Sequence, residues 1–326
     1  MSKKIGVLDL GSNSLRLMVA AVEQGRIIPV RRELRETRLG QGLKPGESLC
    51  PEASRRTLEA LAELKSIAGE EHVAEGMLVA TSAVREASDG QVFLEQAARH
   101  FPFPARLLTA REEACFGFQG AVQALELQNG LVVDLGGRST ELSWQEASGE
   151  KRFIFLSIPL GAVRLYEEFE RGSGPESVQL GLVMEKVRGV LEKEFGRAAV
   201  PFPPEPGLPL VGLGGTITTL AALDCDLTAY DPQRVHGHTI SRAVVQQWIK
   251  RLQGRSLNEI QHLLSFAPRR ADIFPSGVAA WLSILDFCQR QSVIVSEEGL
   301  LWGVLESLAE QAISCNGTVQ DKKTRL

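Results

Sequence analysis

The chain has 326 residues, 31 of them glycine, and its 36 Lys+Arg against 40 Asp+Glu leave a formal charge of −4. A hydrophobic content of 44% with 23% charged residues is ordinary for a globular protein and excludes a disordered, collagen-like or coiled-coil chain, while the length points to two domains. The charge excludes broad attraction to DNA or to an anionic membrane, so an anionic ligand must be held by local groups.

In chain order, Ile5–Leu8, Leu15–Val22 and Arg26–Leu34 read as a β-meander, with Gly25 marking a hairpin turn. No apolar stretch suited to a signal peptide precedes them. From Pro51 to Ala68 the period becomes helical, with Leu58, Leu61, Leu64 and Ile67 on one face. A buried strand follows at 77–84, a helix at 90–101, a strand at 105–108 and a helix from Thr109. Residues 131–134 give another strand, then a glycine turn, strands at 141–144 and 153–158, and a charged amphipathic helix at 176–198. The proline-rich stretch 201–209 reads as a rigid connector. A strand at 210–213 enters a third glycine turn, a helix starts at Thr216, and the remainder to about 312 reads as mostly helical. The five cysteines, Cys50, Cys115, Cys225, Cys288 and Cys315, are scattered, as expected of reduced thiols in a cytoplasmic protein. The order β-meander, α, β, α, β, α occurs twice, which implies two α/β domains of related design. Their expected bounds are 1–126 and 127–314, with a frayed tail at 315–326 and a last helix, about 297–314, returning to the first domain.

Residues 9–17, Asp-Leu-Gly-Ser-Asn-Ser-Leu-Arg-Leu, and residues 134–142, Asp-Leu-Gly-Gly-Arg-Ser-Thr-Glu-Leu, share five of nine positions. Each follows an apolar strand. A strand–turn–strand of small residues lets backbone N–H groups close around phosphate oxygens. Gly11, Ser12 and Asn13 form the first candidate phosphate loop, and Gly136, Gly137, Arg138 and Ser139 the second. Asp9 and Asp134, one at each loop entrance, suit a hard cation such as Mg²⁺. Gly214, Gly215 and Thr216 make the third turn, which opens a helix and offers further N–H groups to an anion. A tight structural turn fits that segment nearly as well.

Thr109 and Glu112 match a capping box, which gives Glu112 a structural task. Glu113 lies about 100° further round the helix. It is a candidate general base, with an exposed salt-bridging glutamate as the alternative. Arg16 and Arg85 are candidate phosphate cations or surface arginines. His236 and His238 lack the neighbours of a metal site, and local hydrogen bonding accounts for them.

These residues resemble the exopolyphosphatase / guanosine pentaphosphate phosphohydrolase (Ppx/GppA) family. The likeness is distributed over nearly the whole chain: Asp9–Leu17, Arg38-Leu-Gly40, Thr81–Ala87, Arg111–Ala114, Asp134–Glu141, Gly214–Thr216, Val235–His238, Arg270–Ile273 and Val295–Leu300. It implies a duplicated α/β fold of the actin, Hsp70 and sugar-kinase type (ribonuclease H-like), with a cleft between the domains. It implies Mg²⁺- or Mn²⁺-dependent release of terminal phosphate from inorganic polyphosphate, or conversion of pppGpp to ppGpp, and it is compatible with a homodimer. By resemblance, Glu113 matches the catalytic glutamate, Arg85 a site arginine, and Asp9, Asp134 and Glu141 acidic positions near metal and phosphate.

One position departs from the family pattern. Arg138 stands where the second loop usually has a third glycine. If that position needs a positive φ, arginine strains it by about 1 kcal/mol and obstructs phosphate. It could instead add a cation to the phosphate track. The alternative function is therefore a catalytically weakened polyphosphate- or alarmone-binding regulator. A kinase of the same fold is a third reading, for which no acceptor pocket is legible.

Overall fold

The computed structural model describes residues 3–23, 26–146, 152–169, 179–198, 200 and 207–320. The turn expected at Gly25, the proline-rich segment 201–206, residues 176–178 and the final 321–326 lie outside the described residues. The chain divides into two compact units, residues 1–116 with 300–326 and residues 117–299. The division falls within a helix, ten residues before the expected boundary at 126.

Unit 1 opens with the antiparallel strands β1 (Lys3–Leu10), β2 (Ser14–Glu23) and β3 (Arg26–Glu36), followed by α1 (Pro51–Glu70). Next come β4 (Glu75–Ala80), α2 (Ser82–Glu86), α3 (Gly90–Arg99), β5 (Ala105–Leu107) and α4 (Ala110–Ala124). The sheet order is β3-β2-β1-β4-β5, with β4 parallel to both β1 and β5. Alternation along β1 sorts its side chains to two covered faces. Leu8 and Leu10 pack with Leu61, Leu64 and Phe93 of α1 and α3. Ile5 and Val7 pack with Val304, Leu305 and Leu308 of the last helix. With both faces covered, the strand reads as a continuous apolar run.

Unit 2 repeats this plan. Strands β6 (Leu131–Leu135), β7 (Thr140–Gln145) and β8 (Phe153–Ile158) form the meander. They are followed by α5 (Ala162–Phe169), α6 (Leu180–Ala198), β9 (Leu210–Leu213) and α7 (Gly215–Asp224). Then come α8 (Pro232–Val235), β10 (Thr239–Ser241), α9 (Arg242–Leu252), α10 (Leu257–Leu263), α11 (Phe274–Phe287) and β11 (Ser292–Val295). The order β10-β11-β9-β6-β7-β8 contains the five-strand arrangement of unit 1, with β10 added at one edge. Apart from its last two residues, α11 is buried along its length and anchors the core with Phe274, Trp281 and Leu285. The last helix, α12 (Leu300–Gln320), belongs to unit 1. Two mixed sheets of one topology, each covered by helices, make this a duplicated actin-like α/β fold.

Four expectations are corrected. The strand at 77–84 ends at Ala80, because Ser82 starts a helical turn in which its hydroxyl bonds to Glu86 at 2.9 Å. Helix α5 lies in a stretch that had no assigned element; its eight residues are too few for a clear period. Strands β10 and β11, three and four residues long, sit in the stretch read as helical. They are specified by pairing of β11 with β9 and β10, which local pattern does not carry. Finally, α12 continues to Gln320, past the expected onset of the tail at 315. Among the described residues no helix is long and apolar enough to cross a membrane.

Candidate functional site

In unit 1, Asp9 is the penultimate residue of β1 and faces Arg16 across the β1–β2 ladder. The turn between the strands is closed by the Gly11 N–H, which donates to the Ser14 carbonyl at 3.2 Å. Its carbonyl side is held from the segment after β3. The Thr37 and Arg38 N–H groups donate to Asn13 O at 3.1 and 2.9 Å, and the Gly40 N–H donates to Ser12 O at 2.8 Å. Arg38 reaches this position with φ +52, a left-handed backbone uncommon for a non-glycine residue. On the other side, the Ser12 hydroxyl accepts from the Ala83 N–H at the start of α2, 3.1 Å away. Ser12 is therefore an anchor of the loop as well as a phosphate candidate.

Helix α2 also carries Arg85. Its guanidinium donates to Leu108 O at 2.8 Å and to Glu113 Oε2 at 3.0 Å. Glu113 is only 13% exposed. The neighbouring Glu112 forms the expected box: it accepts from the Thr109 N–H at 2.9 Å and its own N–H donates to Thr109 Oγ1 at 3.2 Å. The hydrogen bond from the Thr109 backbone, outweighing partial burial, holds the Glu112 carboxyl below its ordinary range. The two adjacent glutamates thus have separate tasks, one capping the helix and one paired with an arginine. The guanidinium contact fixes the orientation of the Glu113 carboxylate.

Unit 2 repeats the turn. The Gly136 N–H donates to Ser139 O at 3.0 Å, the counterpart of the Gly11–Ser14 bond. Asp134 faces Glu141 across β6–β7 in the register that pairs Asp9 with Arg16. Glu141 is buried and accepts from Ser157 Oγ at 2.9 Å. The second loop is held by the first turn of α5. Ala162 N–H donates to Gly136 O at 3.0 Å, and Val163 and Arg164 N–H groups donate to Gly137 O at 2.9 and 3.1 Å. Gly161 permits this approach, since a Cβ there would overlap the backbone of Gly137 and Arg138.

Arg138 does not have a positive φ; among the described residues the non-glycine ones that do are Arg38, His72, Glu126, Asp226 and Gln289. The expected condition for strain is absent. Its side chain is 2% exposed and lies 3.7 Å from the Glu167 carboxylate on α5. It braces the loop against the helix that holds it.

The third turn lies beside the second. β9 runs parallel to β6 with Leu213 opposite Asp134. Gly214, at φ +95, would with a Cβ overlap Leu135 O and come within 3.2 Å of Asp134 Oδ1. The guanidinium of Arg270 occupies the space over Gly215, and a Cβ there would have to displace it. Thr216 is buried, with its hydroxyl against Gly277 of α11. It is turned to the core, so it offers an anion its N–H. His236 and His238 are locally bonded: His238 Nε2 meets Asp224 at 2.7 Å, and His236 Nδ1 accepts from the Glu297 N–H at 3.3 Å. Cys50, Cys115, Cys225 and Cys288 are free thiols; the side chain of Cys315 lies outside the described residues.

Among the described residues there is no cluster of three or more His, Cys, Asp or Glu that would enclose a metal. Mg²⁺ does not need one, since it binds through one or two carboxylates and fills its shell with water and phosphate. Asp9, or Asp134 with Glu141, offers such hard oxygen donors, so these residues fit the ion.

Four elements were missed in the sequence: Arg38 with Gly40, Gly161, the first turn of α5, and Arg270. Arg38 and Arg270 lie in segments that carry the family likeness, which is the signal that could have found them. Gly161 has no local signal, because its role depends on a loop some 25 residues earlier.

The model of the Ppx/GppA phosphatase family matches residues 18–312. Exopolyphosphatase 2 of Mycobacterium tuberculosis is 33% identical over 322 residues, covering 94% of this chain and 98% of that protein. The guanosine-5′-triphosphate,3′-diphosphate pyrophosphatase of Aliivibrio fischeri is 25% identical, covering 100% of this chain and 64% of that one. Among solved structures, the Ppx/GppA family member of Aquifex aeolicus has a TM-score of 0.76 at 29% identity, covering 96% of this chain and 99% of that one. An exopolyphosphatase-like protein has a TM-score of 0.86 at 26% identity, with the same coverage of each chain.

Proposed function

The chain belongs to the Ppx/GppA phosphatase family, and from that premise we propose that it releases terminal phosphate from inorganic polyphosphate, from pppGpp, or from both. Glu113 takes a proton from a water molecule as the water oxygen bonds to the terminal phosphorus. The bridging P–O bond then breaks and the shortened chain leaves as an anhydride anion. Arg85 holds the Glu113 carboxylate in place. The N–H groups of the two repeated turns, with Arg16 and the Gly214–Thr216 turn, hold phosphate oxygens. Asp9, or Asp134 with Glu141, would hold Mg²⁺ or Mn²⁺, which supplies neutralising charge to phosphate oxygens.

The observation that carries this reading is the Arg85–Glu113 contact at 3.0 Å, with Glu113 largely enclosed and Glu112 already committed to the helix cap. The regulator reading rested on Arg138, and an arginine braced against Glu167 without a left-handed backbone gives it no support.

Phosphate release from long-chain polyphosphate and from pppGpp under Mg²⁺ tests the proposal. Glu113→Gln should lose about 10²- to 10⁴-fold in kcat, the range that a positioned general base contributes. A folded Glu113→Gln protein with undiminished turnover would remove the base from the mechanism.

A further inference from the structure

The Arg85–Glu113 pair hangs on two points of backbone, and the last helix of unit 1 stands behind both. The first point is the Leu108 carbonyl, which accepts from the Arg85 guanidinium at 2.8 Å. The Leu108 side chain is fully buried in one cluster with Val304, Leu305 and Leu308 of α12. The second point is α4 itself. Phe116 follows Glu113 by three residues, about 4.5 Å further along the helix axis, and its side chain packs on the same cluster. The Phe116 backbone is met by Gly303, the fourth residue of α12. A Cβ on Gly303 would overlap the Phe116 carbonyl oxygen and come within 2.8 and 2.9 Å of the carbonyl carbon and Cα. No Cβ sits that close to backbone, so a side chain at this position forces a helix to move.

Glycine is a poor helix former, because it loses more freedom on folding than any other residue. The crossing accounts for its place inside α12, since two backbones meet there without a Cβ between them. Helix α12 is also seated on the sheet through Ile5 and Val7 of β1 and Val79 of β4. It cannot back away from α4 without opening that close-packed core. A methyl group on Gly303 must therefore push α4 or lift α12 off Leu108. The first movement displaces Glu113, and the second displaces the anchor of Arg85. A shift of about 1 Å is enough to cost about 10²-fold in rate when it reaches a catalytic group.

We propose that Gly303 is a positioning residue for the Glu113 carboxylate, with α12 setting both partners of the Arg85–Glu113 contact by bearing on Phe116 and on Leu108. The proposal rests on reading Glu113 as the general base. It gives Gly303 no contact with substrate; the residue acts through α4.

Steady-state kinetics on polyphosphate and pppGpp under Mg²⁺, with urea unfolding of the same preparations, test this in the full chain. Gly303→Ala should lower kcat per folded molecule by about 10- to 10²-fold, with KM held within about twofold. A merely structural role would lower the unfolding midpoint and leave that kcat in place. Gly189→Ala, on an exposed position of α6 with open space around it, should keep the wild-type kcat. In a Glu113→Gln background Gly303→Ala should cost nothing further, because the carboxylate it places is gone. If Gly303→Ala does not fold, Val304→Ala, which leaves a cavity in the same cluster, takes its place with an expected fall of about threefold or more. The proposal is overturned if kcat holds in the folded variant, or if the losses multiply in the double variant. Wild-type turnover by Glu113→Gln would remove the base reading and the placement together, whereas a dead Glu113→Gln beside an unimpaired Gly303→Ala would remove the placement alone.

Discussion

The two copies of the Asp-Leu-Gly turn are alike in backbone and opposite in charge at one matched position. Each is closed by the same glycine N–H to serine carbonyl bond, at 3.2 Å in unit 1 and 3.0 Å in unit 2. Each aspartate has a cross-strand neighbour in the same register, but that neighbour is Arg16 in unit 1 and Glu141 in unit 2. The first turn therefore places a guanidinium opposite its aspartate, while the second places two carboxylates opposite each other. Directly opposed like charges destabilise a ladder unless a cation lies between or near them. What holds the turns also differs. Coil residues 37–40 hold the first and the opening of α5 holds the second. A repeat read from sequence thus preserves the turn and leaves both its charge and its support free to diverge.

The largest effect is expected from the support of the second turn. Gly161→Ala would drive a methyl group into the backbone of Gly137 and Arg138 and should cost on the order of 3 kcal/mol by overpacking, read as a fall in unfolding free energy in urea. An unchanged transition midpoint would show that α5 does not clamp the turn. Arg138→Gly comes next. It leaves the mostly enclosed Glu167 without that guanidinium and should destabilise by about 2 kcal/mol, the range for removing one partner of a buried polar pair. Activity should not rise; a gain in phosphate release would restore the idea that arginine obstructs the loop.

The charge contrast itself is broken by Glu141→Gln and Arg16→Gln. Removing a carboxylate from the second pair should raise the Mg²⁺ concentration for half-maximal turnover by about tenfold, or about 1.4 kcal/mol. Arg16→Gln should leave that midpoint in place and raise KM instead. If both variants shift the Mg²⁺ midpoint equally, the two turns do not divide the work.

The smallest effect belongs to the helix carrying Glu113. Thr109→Ala removes the cap at about 1 kcal/mol. The carboxyl of Glu112 is depressed in the folded state, so its contribution is present above the unfolded pKa and is lost as pH falls through the folded one. The stability gap between wild type and Thr109→Ala should therefore narrow in acid. A gap independent of pH would mean that Glu112 is not part of the cap.

Much of this molecule was legible in one dimension because its signals are local. The apolar runs of β1 and β6, the duplicated turn and the Thr109–Glu112 box each lie within a few residues, and each occurs as read. The capping box also separated Glu112 from Glu113 before any contact was visible. Strands β10 and β11 were not legible, because three or four residues become a strand only when β9 is beside them. The same holds for the strand that stops at Ala80, where the turn into α2 serves a bond from Ala83 to Ser12, 71 residues away.

By itself the sequence determined a twofold α/β plan, two repeated glycine turns and a glutamate released from capping duty, since hydrophobic period, glycine turns and helix caps are short-range effects. Only the tertiary structure decided the partners: Arg85 for Glu113, Glu141 for Asp134, Glu167 for Arg138 and Arg270 over Gly215. Those pairings depend on side chains brought together across strands and between helices, and distance in space is the one quantity that spacing along the chain does not encode.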